Sequence, residues 1–157
     1  IAHKDSAGNT EVLPAGEFQL MSAGRGIYHS EFNASATEPL KFLQIWLQPN
    51  QLGGEPGYQQ KAFGQRAGLT LILSPDGRDG SLTLRQDALL YQLILTDGAQ
   101  HSLPLAAGRK LYLHLISGEL DMAGYRLQPG DGIKVSDETQ LSVSAKGAVK
   151  ALVFDLP

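Results

Sequence analysis

"HKDSAGNTEVLPAGEFQLMSAGRGIYHSEFN", residues 3–33, is the stretch whose reading decides the fold. Two short strand-like runs, 17–22 and 27–32, follow the turn-forming clusters "DSAGN" and "LPAG". Short runs punctuated in this way predict strands rather than helices. Alternate residues of a strand point to the same side. His29 and Glu31 therefore share one face of the second run, with Tyr28, Ser30 and Phe32 on the other. An imidazole beside a carboxylate is either half of a metal site or an ordinary exposed strand edge. The bare H-x-E spacing does not choose between them.

Outward from this stretch the same texture continues. Strands are predicted at 40–47, 69–73, 81–85, 89–95, 110–117, 133–135, 140–144 and 148–154. Turn signals such as "SPDGRDG", "ISG", "QPGDG" and "SAKG" lie between them. Many short strands joined by Gly- and Pro-rich turns predict an all-β sandwich or barrel. The best helical candidate, 58–65, is short and weakly periodic. Residues 48–68, "QPNQLGGEPGYQQKAFGQRAG", lose apolar content and gather Gly, Pro and Gln. A structureless loop of about 20 residues is uncommon inside one domain, so this segment is expected to link two parts. "LPAGEFQLMS" (13–22) also echoes "LQPGDGIKVS" (127–136), each a Pro/Gly corner with an acidic residue entering a strand. The echo is an internal repeat or a coincidence of turn chemistry.

The net charge of −3 and the lack of a basic run give no footing for nucleic acid or an anionic membrane. With no cysteine, disulfides, thiolate metal sites and a cysteine nucleophile are excluded, and a reducing cytoplasm is suited. The longest apolar runs, "ALLYQLIL" and "LYLHLI", fall well short of the roughly 18 residues needed to span a bilayer as a helix. No signal peptide is visible. The chain starts with Ile1, and "IAHK" already reads as strand, so the start of a longer polypeptide is expected to be missing.

Gly8, Pro14 and Gly16 follow the G-x5-P-x-G opening of the second cupin motif. More specifically, 3–33 resembles the metal-side half of the N-terminal cupin of the pirin family. The resemblance continues through "LQIWLQP", "GYQQKAF", "LILSPDGRDGSL" and the closing "LVFDLP". It implies a bicupin: the C-terminal part of a first, metal-side jelly-roll barrel at 1–47, a linker at 48–68, and a complete, metal-free second barrel at 69–157. It implies iron-dependent cleavage of a flavonol such as quercetin by O2, as in the quercetin 2,3-dioxygenase-like bacterial members. In that family an H-x-H pair and an H-x-E pair hold the iron. His29 and Glu31 match the second, and Glu31 would be both a ligand and a base for the flavonol hydroxyl. The H-x-H segment would lie upstream of Ile1. Fe2+ or another divalent metal is therefore expected to bind weakly or not at all, with activity impaired. The strand edge of the first barrel is expected to pair with a second copy or with a retained upstream peptide. The competing readings are a non-enzymatic regulatory module that contacts another protein, as in eukaryotic pirins, and an inactive fragment.

Other candidates are weaker. His3 reads as a surface or barrel-wall histidine, and His101 and His114, in the second half, read as structural rather than catalytic. Asp76-Gly77 and Asp79-Gly80 lack the oxygen spacing of a calcium loop and read as tight turns. "GRG" at 24–26 lacks the third glycine of a dinucleotide fingerprint, and no G-x-S-x-G elbow is present. Trp46, with Phe42, Leu43 and Ile45, is expected in a core or between the halves.

Overall fold

Thirteen strands and one short 3-10 turn, Arg78–Gly80, make up the regular structure. The structure, a computed structural model, describes residues 1–157, with the side chain of Pro104 left aside. The chain divides into two units, Ile1–Gly64 with Leu84–Gln86, and Gln65–Thr83 with Asp87–Pro157. No helix among the described residues is long and apolar enough to cross a membrane.

The first unit holds β1 (Ala2–Asp5), β2 (Thr10–Val12), β3 (Glu17–Ser22), β4 (His29–Phe32) and β5 (Gly57–Ala62). An antiparallel sheet runs in the order β2-β1-β4, and β3 pairs with β5 in a second, two-stranded ladder. β5 lies inside the segment expected to be a linker and covers most of the expected helix. Its six residues pair from Glu17↔Ala62 to Ser22↔Gly57. A free strand edge offers partners for every second backbone group, and that outweighs the weak helical period of 58–65. The expected strand at 40–47 does not form. Phe42, Leu43 and Ile45 are exposed, and Trp46 is 85% exposed rather than in a core. An apolar run becomes a buried strand only where a partner covers it, and among the described residues no strand pairs with this one.

The second unit holds β6 (Gly68–Ser74), β7 (Leu82–Thr83), β8 (Leu89–Leu95), β9 (Gln100–Pro104), β10 (Lys110–Met122), β11 (Tyr125–Leu127), β12 (Gly132–Ser136) and β13 (Gln140–Leu156). The order is β11-β10-β13-β8-β6-β7, with β12 also on β10 and β9 also on β13. The "ISG" and "SAKG" turn signals turn no chain. They sit inside the two longest strands, where Gly118 and Gly147 take φ of 83° and 78°. The β10–β13 register shifts between Leu115 and Glu119. Before the shift Leu111, Leu113 and Leu115 are buried, and after it Leu120 and Met122. The buried positions thus change from odd to even. A bulge does this because an extra residue moves every following side chain to the other face. The core gathers here: Leu93, Leu103, Leu113, Leu115, Leu120, Val143 and Val149 are sealed from solvent. Each fully buried leucine of this kind contributes about 1.5–3 kcal/mol.

The two halves of the sequence echo turn the chain alike. The amide of Glu17 donates to the carbonyl of Pro14 at 3.2 Å, and that of Asp131 to Gln128 at 2.9 Å. Gly16 and Gly130 take φ of 88° and 97°, the left-handed third position of such a turn.

Candidate metal centre

β1 and β4 run antiparallel with His3 opposite Glu31 and Asp5 opposite His29. Directly opposed residues of a ladder project to the same face, as do alternate residues along each strand. One face of this strand pair therefore collects two imidazoles and two carboxylates. His29 is exposed and Glu31 half-buried. His3 is 1% exposed, buried rather than on the surface. One ligand atom from each of His3, His29 and Glu31 falls within 4.8 Å of the others, the one such group of three among the described residues. The spacing that marks His29 and Glu31 also marks His3 and Asp5. What the sequence could not show is that the two strands pair in this register.

Each carboxylate is held from behind. The Asp5 Oδ1 accepts from the backbone amides of Ala7 and Asn9, both at 3.0 Å. Its Oδ2 accepts from Asn9 Nδ2 at 2.8 Å and lies 3.3 Å from His3 Nε2. The Asn9 side chain foremost, with the backbone donors and His3, holds the Asp5 carboxyl at about 2 against an ordinary 3.8. Glu31 Oε1 accepts from Gln19 Nε2 at 2.5 Å, while Oε2 has only a long contact of 3.5 Å with Gln44. The hydroxyl of Tyr58 lies 3.2 Å from Gln19 Oε1 and 2.7 Å from Gln60 Oε1. Gln60 in turn donates to Glu17 Oε2 at 2.8 Å. This chain of side chains from the β3–β5 ladder orients the Gln19 amide toward Glu31. Burial, with the surrounding carboxylates, pushes the Tyr58 hydroxyl up from its usual value, so it stays a neutral donor. The Tyr58 ring also stacks at 4.9 Å between centroids against His3.

A divalent metal fits this set by one test in particular. The His3 Nδ1 is buried and has no hydrogen-bond partner. It faces Glu31 Oε1 at 3.8 Å, too far for a hydrogen bond. A small divalent ion that holds N and O donors at about 2.1 Å sets them roughly 3 to 4 Å apart. Imidazole and carboxylate donors suit iron, nickel or zinc.

The family model for pirin matches residues 1–47, and that for the quercetinase C-terminal cupin domain matches 71–156. The quercetin 2,3-dioxygenase of Escherichia coli strain K12 is 43% identical over 157 residues, all of this chain and 68% of that protein. The crystal structure of YhhW from Escherichia coli superposes with a TM-score of 0.97 at 44% identity, over 99% of this chain and 67% of that one. The chain belongs to the pirin family. A structure of the bacterial pirin YhhW in complex with nickel(II) matches with a TM-score of 0.95 at 43% identity, again over 99% of this chain and 67% of that one. This pirin chain thus spans about two thirds of the length of these relatives.

Among the described residues the second unit has no counterpart to the cluster, and the register of its strands shows why. With Leu13 set on Leu127, Glu11 falls on Tyr125; Glu11 pairs with His3 and Tyr125 with Met122, so through the ladders the His3↔Glu31 pair of this pirin chain corresponds to Met122↔Val143. His29 falls on Leu141. Met122, Val143 and Leu141 are all buried. Core packing fills in the second unit the positions that carry polar donors in the first. His101 and His114, on β9 and β10, stand apart from any such group. Asp76 accepts from the Ser74 hydroxyl at 2.9 Å and pairs with Arg78 in the tight turns of that loop.

Proposed function

We propose that this chain carries the metal side of an iron-dependent quercetin 2,3-dioxygenase, with His29 and Glu31 as metal ligands and Glu31 as the base. The observation that carries the reading is the burial pattern. In the first unit the side chains most withdrawn from water include His3 and Asp5 rather than a set of aliphatic residues. Buried polar groups are costly unless they are satisfied or serve a site. The names of the relatives, and the nickel(II) held by one of them, point the same way. A bound divalent iron would supply redox chemistry toward O2 and hold the flavonol oxygen. Gln19 occupies Glu31 Oε1, so Oε2 is the oxygen with capacity to take the flavonol hydroxyl proton. The exposed His29 side leaves a way in for a planar substrate. The proposed layout is a metal side at 1–47 and a metal-free barrel at 69–157.

The expected result is slow, metal-dependent loss of quercetin absorbance with one O2 consumed per flavonol. Glu31→Gln should lower it by about 100-fold or more, the usual weight of a positioned base. Turnover indifferent to added metal, or to Glu31→Gln, would exclude the reading. The exposure of Phe42, Leu43, Ile45 and Trp46 favours a second one, a module that contacts another protein. Metal binding without any flavonol turnover would select it.

A further inference from the structure

We propose that Asp5 fixes the ring of His3 so that its Nδ1 completes a three-donor metal site with His29 and Glu31. The inference rests on the metal reading above and deepens it, since the family resemblance assigns neither His3 nor Asp5 a role. The steps are geometric. Asp5 Oδ2 lies 3.3 Å from His3 Nε2, and both side chains are sealed from solvent. A carboxylate has only lone pairs to offer, so the proton of the ring belongs on Nε2. Placed on Nδ1 instead, it would leave the Nε2 lone pair facing the Asp5 oxygen. It would also find no acceptor within reach, because Glu31 Oε1 stands 3.8 Å away. The remaining lone pair of His3 is thus buried, without a partner, and aimed at a second acceptor. Two acceptors pointed at one small space need a donor or a cation between them, and a set of imidazole and carboxylate donors suits a divalent ion. A carboxylate behind an imidazole is also the usual support of a metal-bound histidine, because it sets the tautomer and raises the basicity of the donor atom.

The neighbouring side chains restrict the ring further. Tyr58 packs on one side of the His3 ring at 4.9 Å and His29 meets it edge-on at 5.6 Å. Asp5 cannot swing away, since Asn9 Nδ2 and the amides of Ala7 and Asn9 hold both of its oxygens. The turn 5–9 therefore acts as a clamp on His3. Its sequence form is H-x-D-x-x-x-N, residues 3, 5 and 9.

The test titrates the 157-residue protein with Ni2+ by calorimetry and counts bound imidazoles with Cu2+ by electron spin-echo modulation. The expected result is one ion per chain with two imidazoles. His3→Ala and His29→Ala should each leave one. Asp5→Asn should weaken Ni2+ by about 10- to 100-fold, as loss of the support behind a ligand does. Ser6→Ala serves as the control for a loosened turn. It removes the Ser6 Oγ acceptor of the Tyr28 amide, at 3.1 Å, and leaves the contacts of Asp5 alone. Its affinity should stay within about threefold of the parent. Equal losses in Asp5→Asn and Ser6→Ala would overturn the proposal. So would a single imidazole in the parent that survives His3→Ala, while quercetin turnover sensitive to Glu31→Gln would still uphold the dioxygenase reading. Absence of any Ni2+ binding would overturn both.

Discussion

Gly118 and Gly147 both lie where the β10–β13 register is irregular, and replacing each with alanine separates a backbone effect from a steric one. Both take nearly the same left-handed φ, 83° and 78°. An L-residue there costs about 1–2 kcal/mol. A fraction, about 0.4–1 kcal/mol, returns because alanine has less freedom than glycine to lose from the unfolded chain. A Cβ on Gly147 meets nothing within 4 Å, so Gly147→Ala stops at that balance, a net loss of roughly 1 kcal/mol. A Cβ on Gly118 would stand 2.5 Å from the carbonyl oxygen of Ala148 and 2.9 Å from Val149 Cγ2. The carbonyl belongs to the backbone of the partner strand, and Val149 is 1% exposed in the core, so neither can yield freely. Overpacking of this kind adds about 1–3 kcal/mol. Gly118→Ala should therefore be the less stable variant by that margin. Urea unfolding followed by circular dichroism reads the difference, which should be a gap in midpoint on the order of 1 M for slopes of about 1–3 kcal/mol/M. Equal midpoints, or a worse Gly147→Ala, would refute the close approach of the two strands at this irregularity.

Two further outcomes follow from the first unit. Asp5 is held at about 2 in the folded protein against an ordinary 3.8, so its contribution to stability is complete above pH 4 and lost as pH falls toward 2. Thermal unfolding of metal-free protein should show the parent ahead of Asp5→Asn at pH 5 and the gap closing between pH 4 and 2; a gap that persists at pH 2 would speak against the clamp. Among the described residues β2 and β4 are the outer strands of their sheet, and Val12 and Phe32 on them are exposed. Open edges template pairing with another chain. Light scattering should therefore show concentration-dependent self-association, and a strictly monomeric protein with strongly protected amides at 17–47 would contradict this.

Where turn formers bound a short apolar run on both sides, the sequence reading and the structure coincide. The runs 17–22 and 89–95 are β3 and β8 to the residue. The pair His29 and Glu31 was legible because strand period alone puts them on one face. Gly118 and Gly147 are conformational signals, but they sit inside strands rather than in turns. A positive φ serves a bulge as readily as a hairpin, and only the partner strand distinguishes them.

By itself the sequence determined the all-β texture, the pirin resemblance, the shared face of His29 and Glu31, and the exclusion of any cysteine chemistry. These depend on residue type and on spacing within a few positions. Tertiary structure alone decided that β1 pairs with β4, which buries His3 and brings its free Nδ1 to Glu31. It also decided that 57–62 is a strand on β3, and that Trp46 has no cover. Each of these is a matter of which distant segment lies alongside. Backbone pairing is available to any extended segment, so a local pattern states which side chains travel together and leaves open what they will meet.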